Sequence, residues 1–114
     1  MKAVYLRLVV LALSLPASAH AWYACTENVE ADTYGLLFED KALDKGYVLI
    51  KADEGNMADE IICGAANDAG EATCLPARKE LGLTVVLNRG ADTARVEALK
   101  GGATITYEMA CGPL

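Results

Sequence analysis

The chain has 114 residues, 10 basic against 16 acidic (formal charge −6), 54% apolar residues and four cysteines. That length holds one core and leaves no room for a multidomain enzyme. The apolar content is too high for an extended disordered chain, and the acidic balance opposes electrostatic binding of nucleic acid.

The first 21 residues read as an export signal. Lys2 and Arg7 give a positive start, Leu8 to Leu15 a short apolar run, Pro16 a break, and Ala17 to Ala21 a small-residue cleavage region. These eight positions, apolar but for Ser14, span roughly 12 Å as helix, against a hydrocarbon core of about 30 Å, so no stable membrane insertion is expected. Cleavage after Ala19 or after Ala21 fits with alanine at both small-residue positions, and the second is preferred because it moves Pro16 further from the cut. The expected organisation is therefore a signal peptide over 1–21 and one domain over 22–114. An exported location, periplasmic or secreted, follows from the same reading. That domain has 93 residues, 8 basic and 16 acidic. Fifteen of its apolar residues are alanine, so large core side chains are few and the fold needs reinforcement.

Cys25, Cys63, Cys74 and Cys111 are the natural reinforcement: an even number of cysteines in an exported chain points to two disulfides. Their spacings contain no close pair of the kind that zinc sites use, and there is no Cys-x-x-Cys redox motif. Three connectivities are open. The pairing expected here is Cys63–Cys74 as a local clasp and Cys25–Cys111 joining the two ends, the latter contributing about 4 kcal/mol by loop closure.

Along the domain, strands are expected at 22–25, Tyr34 to Phe38, Tyr47 to Lys51 and Leu83 to Leu87. The clearest alternation runs from Ala103 to Cys111, where every odd position is apolar and one face should be buried. Asp44 to Gly46, Asp53 to Asn56, Asn88 to Gly90 and Gly101-Gly102 supply turn chemistry. Two segments, 56–63 and 92–100, suit helix or strand, with strand preferred for the second because Gly101-Gly102 would make it a hairpin arm. Pro76 to Glu80 suits one helical turn with proline in first position. Together these predict a mainly β fold, a small antiparallel sandwich or barrel stapled by two disulfides, with compact α+β as the alternative.

Missing residue types restrict the chemistry more than any motif does. Beyond Ala21 there is no serine, histidine or glutamine, which excludes serine-triad, cysteine–histidine and histidine acid–base catalysis in that domain. No Gly-rich phosphate loop is present. No catalytic residue, cofactor or metal is assigned, and the chain is not expected to be an enzyme. His20 would become an N-terminal copper ligand only if cleavage followed Ala19, and no second histidine exists to complete such a site.

Charge is uneven. Residues 22–71 hold 12 acids and 3 bases, whereas 72–114 hold 4 acids and 5 bases. Asp53, Glu54, Asp59 and Glu60 form the densest group and are the candidate acidic surface, with a cationic protein as the partner it would suit. Most aromatic residues fall in apolar phase and are expected in the core, with Trp22 and Tyr23 the pair most open to exposure. In size, export and cysteine logic the chain is similar to the small exported β-barrel inhibitors of lysozyme. It carries no Ser-Gly-x-Arg-Tyr loop of their type, so the likeness is one of class. The expected function is a non-catalytic binding or inhibitor module. A structural component of the cell envelope is the alternative, followed by a carboxylate-based enzyme or a calcium-binding module.

Overall fold

Eight strands pair antiparallel in chain order and close on themselves as an up-and-down barrel: β1 (Tyr23–Glu27), β2 (Tyr34–Phe38), β3 (Lys45–Ala52), β4 (Gly55–Cys63), β5 (Glu71–Pro76), β6 (Leu83–Asn88), β7 (Thr93–Lys100) and β8 (Ala103–Pro113). The structure is a computed structural model in which residues 22–27, 33–52 and 55–114 are described. Residues 1–21, for which an export signal is the expectation, and Asp53 and Glu54 lie outside the described residues. Closure removes the two open edges that a flat eight-stranded sheet would expose.

The period-2 alternation sets what fills the barrel. Tyr23, Leu36, Phe38, Val48, Ile61, Val85, Leu87, Val96 and Met109 point inward and are at most 2% exposed. Bulk is distributed unequally: the aromatic side chains come from β1 and β2, while β5 and β7 contribute Ala72, Ala94 and Ala98. An interior this narrow is packed by pairing large residues on one wall with small ones on the other, which gives the alanine-rich composition a use. Gly46 shows the same constraint at one site, since a Cβ there would lie 2.4 Å from Cδ1 of Phe38.

Both disulfides have the expected partners. Cys63 and Cys74 are register partners on β4 and β5, and Cys25 and Cys111 are register partners on β1 and β8. At the end of the barrel where the chain enters, the Tyr23 hydroxyl donates to Oδ1 of Asp92 at 2.7 Å, and Lys41 Nζ reaches the same oxygen at 3.1 Å. Asp92 lies in the left-handed region (φ 54°) in the turn before β7. Arg89 adds a tie there, donating to the Leu43 carbonyl at 2.6 Å.

Two expectations need correction, one open choice is decided and one strand had no expectation. The segment 56–63 is strand, not helix: Asn56 begins no helical turn but pairs with Lys51 across the β3–β4 hairpin. Pro76 ends β5 instead of opening a helix, and the short 3-10 turn lies later, at Lys79–Leu81. The β5 strand itself gave no strong periodic signal, because its inner face is Ala72, Cys74 and Pro76. Finally, β8 buries only Met109 fully, leaving Ala103 and Ile105 exposed. β8 meets β1 only over Met109–Pro113, so its first half stands with β7 as a hairpin arm beyond the closed wall. That arm turns on Gly101 and Gly102, with φ of 58° and 83°, the two positive values a tight two-residue hairpin requires.

Candidate binding site

A concavity lies on the outside of the barrel, whose inside is filled. Two rows of outward-facing residues cross β1 to β4. Ala24 lies beside Leu37 and Leu37 beside Tyr47; in the next row Thr26, Gly35, Leu49 and Ala58 are successive partners. Gly35 contributes no side chain at the middle of this wall, and Ala24 and Ala58 contribute little. The result is a groove of about 580 Å³ with Leu37 and Leu49 as its walls and Thr26, Lys51, Asn56 and Leu114 around it. Its lining is mainly apolar and holds no Asp or Glu side chain among the described residues.

A side chain at position 35 would meet little resistance. A Cβ there would sit 3.6 Å from the Cys25 carbonyl oxygen and 3.8 Å from Cδ1 of Leu49, both ordinary contacts. The gap in the wall is therefore a property of this residue and not a demand of the backbone. Sequence reasoning took Tyr34 to Phe38 simply as a strand. The available signal was a glycine inside a strand, which often marks a place where something else approaches closely.

The candidate acidic residues are dispersed in their roles. Neighbouring positions on one strand face opposite ways, so Asp59 and Glu60 cannot act from one face of β4. Asp59 accepts the Arg78 backbone N–H at 2.9 Å and its Nε at 3.3 Å, fastening the chain after β5 to β4. Those bonds, the backbone one foremost, hold its carboxyl below the usual carboxylate range. Glu60 pairs with Lys45 at 3.1 Å. Elsewhere on the wall Arg95 bridges Glu71 and Glu97 at 3.1 and 2.9 Å. Exposed pairs like these add little stability, but they take charge off the surface. Asp53 and Glu54 fall outside the described residues.

The other notable cluster sits at the opposite end of the barrel from Asp92. The rings of Tyr34 and Tyr107 meet edge to face with centroids 4.8 Å apart. Lys100 Nζ donates to the Tyr107 hydroxyl at 3.4 Å and stands 5.7 Å from that ring's centroid. Burial raises the Tyr34 phenol, and the bond to Tyr107 raises the Lys100 ammonium. This arrangement packs against the apolar interior.

A second concavity of about 440 Å³ lies between Leu75, Leu83, Thr84 and Leu99, with Glu97 as its one described carboxylate. A third, about 40 Å³, includes Glu71 and Glu108 but is too small for a sugar ring. No three His, Cys, Asp or Glu side chains come together as a metal-holding group among the described residues. The chain matches no protein-family model, no curated protein and no solved structure.

Proposed function

We propose that this chain is an exported, non-catalytic binding module whose contact surface is the groove over Gly35. The observation that carries the reading is the groove itself: an apolar depression of about 580 Å³ on a barrel whose interior is already full. Binding sites combine apolar lining with a few polar groups at the rim, and Thr26, Lys51 and Asn56 supply those groups here. The lining carries no carboxylate pair among the described residues, which favours recognition over glycoside chemistry.

Two further features support the setting. Disulfides of this kind belong to an oxidising compartment, in agreement with an export signal over residues 1–21. The wall also carries Glu71, Arg95, Glu97 and Glu108 outward with apolar residues inward, the reverse of a membrane-spanning barrel, which supports action from the aqueous side. The acidic balance of the chain favours a cationic partner by speeding encounter, while the apolar groove supplies the lasting contact.

The decisive experiment uses Gly35→Val. The added side chain occupies the middle of the groove and suits a strand, so the variant should fold with unchanged or higher stability. Pull-down from the exporting compartment should recover a partner with the natural protein and lose it with Gly35→Val. Raising salt should slow association and leave dissociation nearly unchanged. Equal recovery by both proteins would remove the groove from the reading.

A further inference from the structure

The β7–β8 hairpin carries a free sheet edge. The Cys111 N–H donates to the Asp92 carbonyl on the β7 side at 2.9 Å, and the Leu114 N–H donates to the Trp22 carbonyl on the β1 side at 2.9 Å. Backbone groups in an antiparallel strand point alternately to one neighbour and the other, and the registers on both sides of β8 run without interruption. Odd-numbered residues of β8 therefore bond to β7, and even-numbered ones face the other way. Ala110 and Gly112 meet β1 there, but β1 ends at Glu27, opposite Met109. Beyond that point the N–H and C=O groups of Thr104 and Thr106 face no strand among the described residues.

What such an edge accepts is set by its chemistry. A row of backbone donors and acceptors is matched by another extended strand. Edges that stay open in solution are usually guarded by charged side chains, proline or a bulge. From Ala103 to Tyr107 there is none of the three, and Thr104, Ile105, Thr106 and Tyr107 are all strand formers. Ile105 adds an apolar side chain that is 42% exposed. The charge distribution bears on the occupant. Residues 22–71 hold 12 acids and 3 bases, so copies of this chain repel one another across that half. Residues 72–114 hold 4 acids and 5 bases, and the stretch from Ala103 to Tyr107 holds neither. Two copies can meet there without setting like charges against each other.

We propose that a second copy of the chain pairs with this edge, β8 against β8, antiparallel about a two-fold axis at Ile105. Such an axis repeats every contact in reverse, so one register has to satisfy both copies. With the axis at Ile105, Thr104 of each copy stands opposite Thr106 of the other. Every N–H and C=O that these threonines leave open on one edge is then met by the other edge. Ile105 faces its own counterpart as a non-hydrogen-bonded pair, the closer kind, with Cα atoms about 4.5 Å apart. Ala103 faces Tyr107, a small residue against a large one. The neighbouring registers fit less well. An axis at Thr106 would set Ala103 of one copy opposite Met109 of the other, a place that Glu27 already holds. An axis at Thr104 would set Thr106 opposite Gly102, in the turn. The proposal rests on backbone pairing at β8 and does not depend on the groove.

Sedimentation of the purified protein over a range of concentrations tests it. The natural protein should show a reversible monomer–dimer equilibrium. Thr106→Pro removes an N–H that points away from β7, so the barrel should keep its ladder and its circular dichroism while the dimer is lost. Ile105→Asp sets like charges together at the axis and should also be monomeric. Cysteine variants locate the axis even if Thr106→Pro fails to fold. Ile105→Cys should join two copies by a disulfide on mild oxidation, because its partner is its own counterpart. Thr104→Cys should not join to itself, whereas its equal mixture with Thr106→Cys should give the mixed dimer. A natural protein that stays monomeric to about 1 mM would overturn the proposal, as it would if a different protein covers this edge. So would dimers that persist in Thr106→Pro, or Ile105→Cys joining no faster than Thr104→Cys.

Discussion

Cys25 near the start of the domain and Cys111 near its end are direct register partners, bonded across the one seam that chain order cannot close by a turn. Every other strand pair is joined by a connection within the sequence; β1 and β8 are 86 residues apart. Loop-closure entropy grows with the logarithm of loop length, so the two disulfides should contribute unequally. Replacing Cys25 and Cys111 by alanine should cost about 4–5 kcal/mol, and replacing Cys63 and Cys74 about 3 kcal/mol. Urea unfolding of the two double variants measures both values. Equal losses would show that strand pairing, not chain entropy, dominates at the seam.

The Tyr23–Asp92 bond gives the barrel a stability limit at each end of the pH scale. Burial first, then the bond to Asp92 and the carboxylate's charge, raise the Tyr23 phenol well above its ordinary 10.0. The bond from Tyr23, then that from Lys41, lowers Asp92 below 3.8. A lowered acid contributes stability that is present above its unfolded value and lost as pH falls through the folded one. A raised phenol contributes stability that is present below pH 10 and lost as pH climbs beyond it. The unfolding temperature should therefore hold between about pH 5 and 9 and fall on both sides. Tyr23→Phe should flatten the alkaline fall, and Asp92→Asn should soften the acid one. An alkaline limb unchanged in Tyr23→Phe would assign that limb to another group.

Two glycines on facing strands should respond in opposite ways to alanine. At Gly46 the new Cβ would lie 2.4 Å from Cδ1 of Phe38 and 2.6 Å from the Leu37 carbonyl oxygen. The second is backbone and cannot turn aside, so Gly46→Ala should cost about 1–3 kcal/mol or more. At Gly35 the nearest contact is 3.6 Å, and Gly35→Ala should be neutral or stabilising by about 0.5–1 kcal/mol. Thermal unfolding of the two variants side by side gives the comparison.

The reading of residues 1–21 as a signal makes a simple chemical prediction. N-terminal sequencing of the exported protein should begin at Trp22. A start at His20 would select the other cleavage position and place an imidazole beside the terminal amine. Recovery of the intact chain would remove the signal reading altogether.

Sequence alone determined the properties that depend on local pattern or on composition. Alternation marked Tyr34 to Phe38 and Leu83 to Leu87 as strands, and Gly101-Gly102 as the turn that makes 93–113 a hairpin. An even cysteine count pointed to two disulfides, and the pairing preferred among three open ones is the one observed. The absence of serine and histidine after residue 21 restricts the chemistry whatever the fold. Only tertiary structure decided where the alternation stops having its usual meaning. Ile105 is in apolar phase yet 42% exposed, because β8 has left the closed wall before its partner β1 begins. Asp59 and Glu60 are adjacent in sequence but serve different faces, one bonded to Arg78 and the other to Lys45. Gly35 becomes the floor of a groove only when Thr26, Leu49 and Ala58 are brought beside it by three separate strand pairings. Such relations depend on register between segments distant in the chain, and register is a property of the closed sheet, not of any one strand.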